Sequence, residues 1–466
     1  MNLRFQKAII EKFRLSLKLS CLKNAFCIDE WIRMVTSNCI KELDLDITRL
    51  DAKEDWYSLP GTVFTAKSLM VLRLRGLKLE WPLIVNHINL SKLKELSLTD
   101  VFLEERTILE ICSACPEIED LRLIRCQGVK DLLTSDLSNL LKLTIDQQFE
   151  TLKKSIQIRA VFLRTLYYSG CNITVKFDVS KFKHLKELGK TFGEITDSIV
   201  ENIVAELPLL EELELSFCLK STRLKFSSCV LRKLTFYSTK SLTEIGMDTP
   251  NLLHYTYRAP KLPVIFSMTP SSIQESFLQL KPDDQLNTIW FENLREHLTR
   301  FKKLNSLFLR IESATVILSW EEDSKTSGVT ELHKCSCLGL ELVLNKFDVE
   351  ELKATWSRPP FVIEKLMIQK VVQSQNFETL LDVLFWACHP KFVLVGSIWE
   401  DNEAFIQFLR ENLMDREVVP ACCDSRRVKC WRHYLKEVEV KYSMNHQYGD
   451  SSPSCKVAIL SFKLTW

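Results

Sequence analysis

Glycine is scarce, at 11 of 466 residues, against a usual share of roughly 7%. That shortage excludes glycine-rich phosphate loops, collagen and flexible linkers as organising features. An excess of one charge is also missing: 62 Lys and Arg against 60 Asp and Glu leave a net charge of +2. A near-neutral chain has no global electrostatic footprint for nucleic acid or an anionic membrane, so neither is expected as a partner. No apolar run is long enough for a membrane-spanning helix. Before Lys23, charged residues (Arg4, Lys7, Glu11, Lys12, Arg14, Lys18) interrupt the segment, so it lacks the apolar core of a secretory signal. The protein is therefore expected inside the cell, in cytoplasm or nucleus, with its 16 cysteines as reduced thiols.

Catalytic strings are missing as well. There is no phosphate-loop lysine, zincin helix, nucleophile elbow or dinucleotide fingerprint. No enzyme and no cofactor is expected. His333, Cys335 and Cys337 stand too close for a zinc pair, and Cys422-Cys423 with Cys430 and His433 lack the two separated pairs of a structural site. No metal is expected at either. Cys112 and Cys115 fall at the end of an amphipathic helix and read as core.

What the chain has in abundance is leucine, 72 residues of it, in phase. The string Leu/Ile-x-x-Leu-x-Leu or a close variant starts at 40, 69, 93, 118, 140, 163, 185, 210, 231 and 252, and again at 304. An earlier copy starts at Ile10, and degenerate copies at Ile273, Cys337 and Ile363. The first ten starts recur every 21–29 residues, the period of leucine-rich repeats. Position nine of that repeat takes Asn or Cys, and counting from 118, 163 and 210 it is Cys126, Cys171 and Cys218. These three are expected to be buried thiols without mutual disulfides.

Helical patterns lie between the strands. Glu105–Cys115 points Ile108, Leu109, Ile111 and Cys112 one way and stops at Pro116. Asp197–Leu207 stops at Pro208, and Asn376–His389 stops at Pro390. Residues 25–38 form a helix expected to turn Ile28, Trp31, Ile32 and Val35 inward, and Trp290, Trp386 and Trp399 read as core anchors. The expected fold is an α/β leucine-rich-repeat solenoid of roughly 12–16 units, with a curved parallel sheet on its concave side and helices and irregular returns on its convex side. Residues 1–39 are read as a first repeat or capping segment, 40–315 as the array, and 316–466 as degenerate repeats with a C-terminal cap.

Several blocks carry a family likeness. Glu11-KFRLSLKL, Ile28-DEWIRM and Ile40-KELDLDI, then Leu59-Pro60 and Leu69-MVLRLRGLKL, and late in the chain Leu380-LDVLFWACHPKFVLV and Cys430-WRHYLKEVEV, together resemble the plant F-box/leucine-rich-repeat proteins. The likeness runs over roughly residues 5–445. It implies the substrate-recognition part of a cullin-type ubiquitin ligase subunit, whose F-box would hold the Skp adaptor. Only nine residues precede Ile10, too few for that motif, so the adaptor and cullin are expected partners only when an F-box is supplied. The alternative is an interaction solenoid with no ligase link.

Positions five and seven of each repeat point outward on the strand face. Asp44 and Asp46 stand there on one strand and read as solvated or paired charges. The same positions hold Arg73, Arg75, Arg122, Tyr167, Tyr237, Arg258, Phe308 and Arg310. Arg and Tyr are residue types that dominate binding hot spots. These eight are the candidate partner-binding residues. Asp44, Asp46 and Glu95 are near enough to compete for the arginines.

Overall fold

The computed structural model describes residues 10–19, 25–49, 55–80, 88–128, 132–134, 137–147, 156–158, 160–170, 182–195 and 197–219 of a first compact unit, Met1–Lys220. In a second unit, Ser221–Trp466, it describes residues 223–238, 242–259, 262–268, 273–280, 288–300, 306–310, 360–369, 377–396, 403–414, 430–446 and 456–466.

In the first unit the repeat strings become a parallel ladder. Lys12–Leu19 pairs with Glu42–Arg49, which pairs with Val71–Arg75, and the ladder continues through Glu95–Thr99, Asp120–Ile124 and Lys142–Gln147. Thr165–Gly170, Glu187–Ile195 and Glu212–Leu219 extend it. The pairing is in phase with the repeat: Asp44 faces Arg73, Arg73 faces Ser97, and Ser97 faces Arg122. Positions four and six are the core. Leu43 and Leu45, Leu72 and Leu74, Leu96 and Leu98, Leu121 and Leu123 are all buried, each stabilising by roughly 1.5–3 kcal/mol on removal from water.

A backbone rule sets the step from one repeat to the next. The carbonyl at position two accepts two N–H groups, from positions two and three of the following repeat. Glu11 accepts Lys41 and Glu42, Lys41 accepts Met70 and Val71, Met70 accepts Lys94 and Glu95, and Lys94 accepts Glu119 and Asp120. The same geometry continues at Glu119, Leu141, Arg164 and Lys186.

The turn after the strand is also repeated. Position eight has a left-handed backbone at Gly76, Asp100 and Arg125, with φ of 72°, 51° and 51°. Position nine then drops Leu77, Val101 and Cys126 into the core. The Cys126 thiol donates to the Leu98 carbonyl at 3.4 Å and is free of any disulfide. Cys171 and the side chain of Cys218 lie outside the described residues. On the return side, Lys78–Leu79 pairs with Phe102–Leu103, and Leu132–Thr134 with Ile156–Ile158.

Helix Ala25–Thr36 buries Ile28, Ile32 and Val35. Trp31, expected inward, is instead 41% exposed, and Phe26 and Met34 are exposed as well. The i, i+4, i+7 seam of Ile28, Ile32 and Val35 already fills the helix–sheet gap, and Trp31 stands at its margin. Helix Glu105–Ala114 buries Ile108, Ile111 and Cys112 as expected, while Leu109, expected with them, is half-buried; burial pushes the Cys112 thiol up to about 12. Helix Asp197–Glu206 buries Val200, Ile203 and Val204 before Pro208.

In the second unit Lys233–Ser238, His254–Ala259 and Glu275–Leu280 pair in phase, over a second parallel ladder of Arg223–Ser227, Glu244–Asp248 and Val264–Met268. Tyr255 and Tyr257 replace the inward leucines, stacked at 6.4 Å. The next step slips by two residues: Phe277 faces Ser306, where phase alone would set Glu275 there. Ser306–Arg310 then pairs directly with Phe361–Gln369. The copy at Cys337 lies outside the described residues.

The ladder that runs through Phe361–Gln369 ends differently. Helix Phe377–Ala387 stops two residues earlier than the expected His389, and Cys388–Gly396 is a strand that contains Pro390. The residue before a proline is pushed towards extended backbone, which ends the helix early. Lys456–Thr465 pairs antiparallel with Cys388–Gly396, and Glu437–His446 pairs antiparallel with Lys456–Thr465. The two late sequence blocks meet here: the Trp431 indole and Arg432 guanidinium both donate to Asp382, at 2.6 and 2.9 Å. Trp290 and Trp386 are buried, and Trp399 lies outside the described residues.

Candidate functional site

The outward face of a parallel ladder brings positions three, five and seven into rows. In the first unit these rows are charged, and their arginines are already matched by acids. Lys12 pairs with Glu42 at 2.7 Å and Arg14 with Asp44 at 3.3 Å. Arg73 grips both oxygens of Glu95 at 2.8 Å, reaching diagonally onto the next strand. Arg122 holds Asp120, two residues back on its own strand, at 2.7 and 3.1 Å. Bidentate pairing of this kind uses up the donors a partner carboxylate would need.

Row seven and the turn behind it form a second network. Arg125 holds Asp100 through two bonds of 2.6 and 2.7 Å, and Arg75 Nε stands 3.5 Å from the same carboxylate. Burial pushes the Asp100 carboxyl up, but the Arg125 hydrogen bonds and the charges of Arg125 and Arg75 outweigh it and hold it below the usual value. Asp100 and Asp120 are the residues the sequence reading missed. Both stand at positions, eight and three of the repeat, that the outward rows five and seven leave out.

Tyr167 is an outward aromatic, 37% exposed. Its cross-strand partner is Gly189, and a Cβ there would collide with the ring. The glycine thus leaves space in which the Tyr167 ring lies flat on the neighbouring rung.

The second unit presents a different face. Arg258 lies over two rings, 4.8 Å from Tyr237 and 5.3 Å from Phe277, with no carboxylate within ion-pair reach among the described residues. Beside it is a cavity of about 350 Å³, lined by His254, Thr256, Glu275, Phe277, Ser306, Glu364 and Lys365 among others. Ligand pockets begin at roughly 300 Å³. His254 Nδ1 stands 3.2 Å from Glu275 and Lys391 2.8 Å from Glu364. Phe308 and Arg310 stand in the ladder, opposite Met367 and Gln369, and their side chains lie outside the described residues. Of the eight candidates, the structure gathers Arg73, Arg75 and Arg122 into internal ion pairs, lays Tyr167 over Gly189, and brings Tyr237 and Arg258 into one stack.

Among the described residues, no group of three or more His, Cys, Asp or Glu is placed to hold a metal ion. Nor, among them, is any helix long and apolar enough to cross a membrane. His333, Cys335, Cys337, Cys422 and Cys423 lie outside the described residues.

Comparison with known proteins agrees with this repeat architecture. Residues 28–151 match the family model described as FBD-associated F-box protein At5g56370, LRR repeats. An FBD-associated F-box protein of Arabidopsis thaliana, At5g56700, is 32% identical over 126 residues, covering 27% of this chain and 30% of that protein. An F-box/LRR-repeat protein of the same plant, At4g15060, is 25% identical over 230 residues, 47% of this chain and 53% of that one. Among solved structures, the functional domain of InlJ from Listeria monocytogenes, described as including a cysteine ladder, aligns over 74% of this chain and 72% of its own at 13% identity, with a TM-score of only 0.28. The chain thus spans about half or less of the length of the curated relatives it matches. By sequence it is similar to the leucine-rich-repeat part of plant F-box/leucine-rich-repeat proteins.

Proposed function

We propose that this chain is a protein-recognition module that selects the substrate of a cullin-type ubiquitin ligase, acting in cytoplasm or nucleus, with the outward strand face as its recognition surface. The observation that carries the reading is the match of residues 28–151 to the repeat segment of an FBD-associated F-box protein. The parallel ladder and its outward side chains support it, because a repeat array offers a long row of exposed positions to a protein partner. Ligase activity would come from an F-box and the Skp adaptor, and the repeats contribute selection alone.

The test has two arms. A photo-crosslinking amino acid at position 167 or 237 should capture a protein partner, while one at exposed Lys225 on the return side should not. Fusing an F-box ahead of Met1 should bring the Skp adaptor into the complex and lead to ubiquitination of the captured partner. Capture only from the return side would sink the recognition-face reading. Capture without ubiquitination by the fused chain would leave an interaction module with no ligase link.

A further inference from the structure

The geometry points to an acidic, extended segment of a partner protein as the occupant of the second unit's face, held by Arg258 and Lys365 on either side of the cavity. This rests on the reading of the strand face as the recognition surface and adds what kind of segment it recognises.

The first observation is a contrast of charge. On the first unit's face Arg14, Arg73 and Arg122 are matched by Asp44, Glu95 and Asp120. In the second unit Arg258 and Lys365 have no acid partner among the described residues, while both acids that line the cavity have partners of their own, Glu275 with His254 and Glu364 with Lys391. Arg258, Lys365 and Lys391 against Glu275 and Glu364 leave an excess of one positive charge. A surface of that sign in a concavity attracts carboxylates and rejects cations.

The second observation is shape. Phe277, Ser306 and Lys365 stand in one register row. The short Ser306 side chain between a ring and a long cation leaves a dip in the row, and the Phe277 ring forms an apolar wall beside it. The Arg258 guanidinium stands over that ring, 5.3 Å from its centroid, and over the Tyr237 ring at 4.8 Å. Held over two rings, it loses less entropy when it takes a carboxylate. Arg258 and Lys365 are three rungs apart and offset by two residues. At ~4.8 Å per rung their backbones are roughly 16 Å apart. An extended chain covers that distance in about five residues. The segment therefore carries two Asp or Glu about five residues apart, with an apolar side chain between them seated against Phe277.

A random twelve-residue phage library selected on the full chain tests this. The expected result is enrichment of paired acids at that spacing around an apolar residue. A fluorescein-labelled peptide from that pool should lose at least about tenfold in affinity on Arg258→Glu with Lys365→Glu, and a copy with Lys for each acid should bind the doubly reversed protein. Should the reversed protein melt early, Arg258→Gln with Lys365→Gln serves in its place, with the same loss expected. Enrichment of sequences without acids, equal binding to wild-type and variant protein, or no enrichment at all overturns the inference. The recognition-face reading fails separately, when crosslinkers at positions 167 and 237 capture nothing. Captured segments without acids would leave that reading standing and overturn this one.

Discussion

A single carboxylate shows how much position matters on this surface. Asp100 and Asp120 each hold an arginine bidentately, yet they are not equivalent. Asp120 stands on an extended strand and pairs within it. Asp100 occupies the left-handed turn at φ 51°, which Asp tolerates better than Ala, and also faces Arg75. Asp100→Ala should therefore cost about 1–2 kcal/mol, and Asp120→Ala, which loses one pair with a part-exposed arginine and no turn preference, about 0.5 kcal/mol. Urea unfolding at neutral pH measures both. The sign of the pH effect is fixed by the lowered folded pKa of Asp100: its contribution is whole above the ordinary value of 3.8 and fades as pH falls through the lower folded value. The gap between wild type and Asp100→Ala should shrink in acid. A gap that widens below that value would contradict the assignment of Asp100 as an ionised hub.

At the scale of the element, the strands of the array are written plainly in the sequence, because their leucines repeat with both the two-residue strand period and the repeat period. Leu72 and Leu74, or Leu121 and Leu123, could be placed inside before any coordinates. What escaped was set by interactions that a string of residues does not display. The slip that puts Phe277 opposite Ser306 depends on how two neighbouring ladders settle. The outward turn of Trp31 depends on a seam filled by three smaller residues. The closing antiparallel strands Glu437–His446 and Lys456–Thr465 carry no repeat signature, and the Asp382–Trp431 bond that ties them to the array spans 49 residues of sequence. The candidate site was half legible: its outward rows and the claim of Glu95 on an arginine can be read from the sequence, while the Arg122–Asp120 and Arg125–Asp100 pairs cannot.

The closing element also holds a pH-sensitive residue. His389 is stacked on Trp466 at 3.9 Å, its Nε2 has no hydrogen-bond partner among the described residues, and burial lowers its pKa to about 4. The unfolded chain takes up that proton near 6.5 and the folded chain only near 4, so stability should fall as pH drops between them. His389→Phe keeps the ring stack and removes the titration. Thermal melts from pH 7 to 4 should show a shallower decline for the variant; parallel curves would count against a buried neutral imidazole.

For the molecule as a whole, each strand is stabilised chiefly by its two neighbours, so protection should follow ladder position. Lys12–Leu19 pairs on one side only among the described strands, and its inward residues Phe13, Leu15 and Leu17 are half-buried where Leu43 and Leu45 are fully so. Native-state hydrogen exchange should find its amides at least about tenfold faster than those of Glu42–Arg49 and Val71–Arg75. Equal protection would mean that the first strand is covered by something beyond its ladder partner.

The doubled backbone bond at position two has a consequence for how such a surface changes over time. The acceptor is a main-chain carbonyl, and the residue that supplies it is Glu, Lys, Met, Leu or Arg at different steps. The distance between rungs is therefore indifferent to side chains. Outward residues can be exchanged one by one, as on a pegboard whose holes are drilled at fixed intervals. A change of Arg73 or Arg122 alters what the face presents without altering the separation of its rungs, so a new surface can arise by relabelling the pegs of an unchanged ruler.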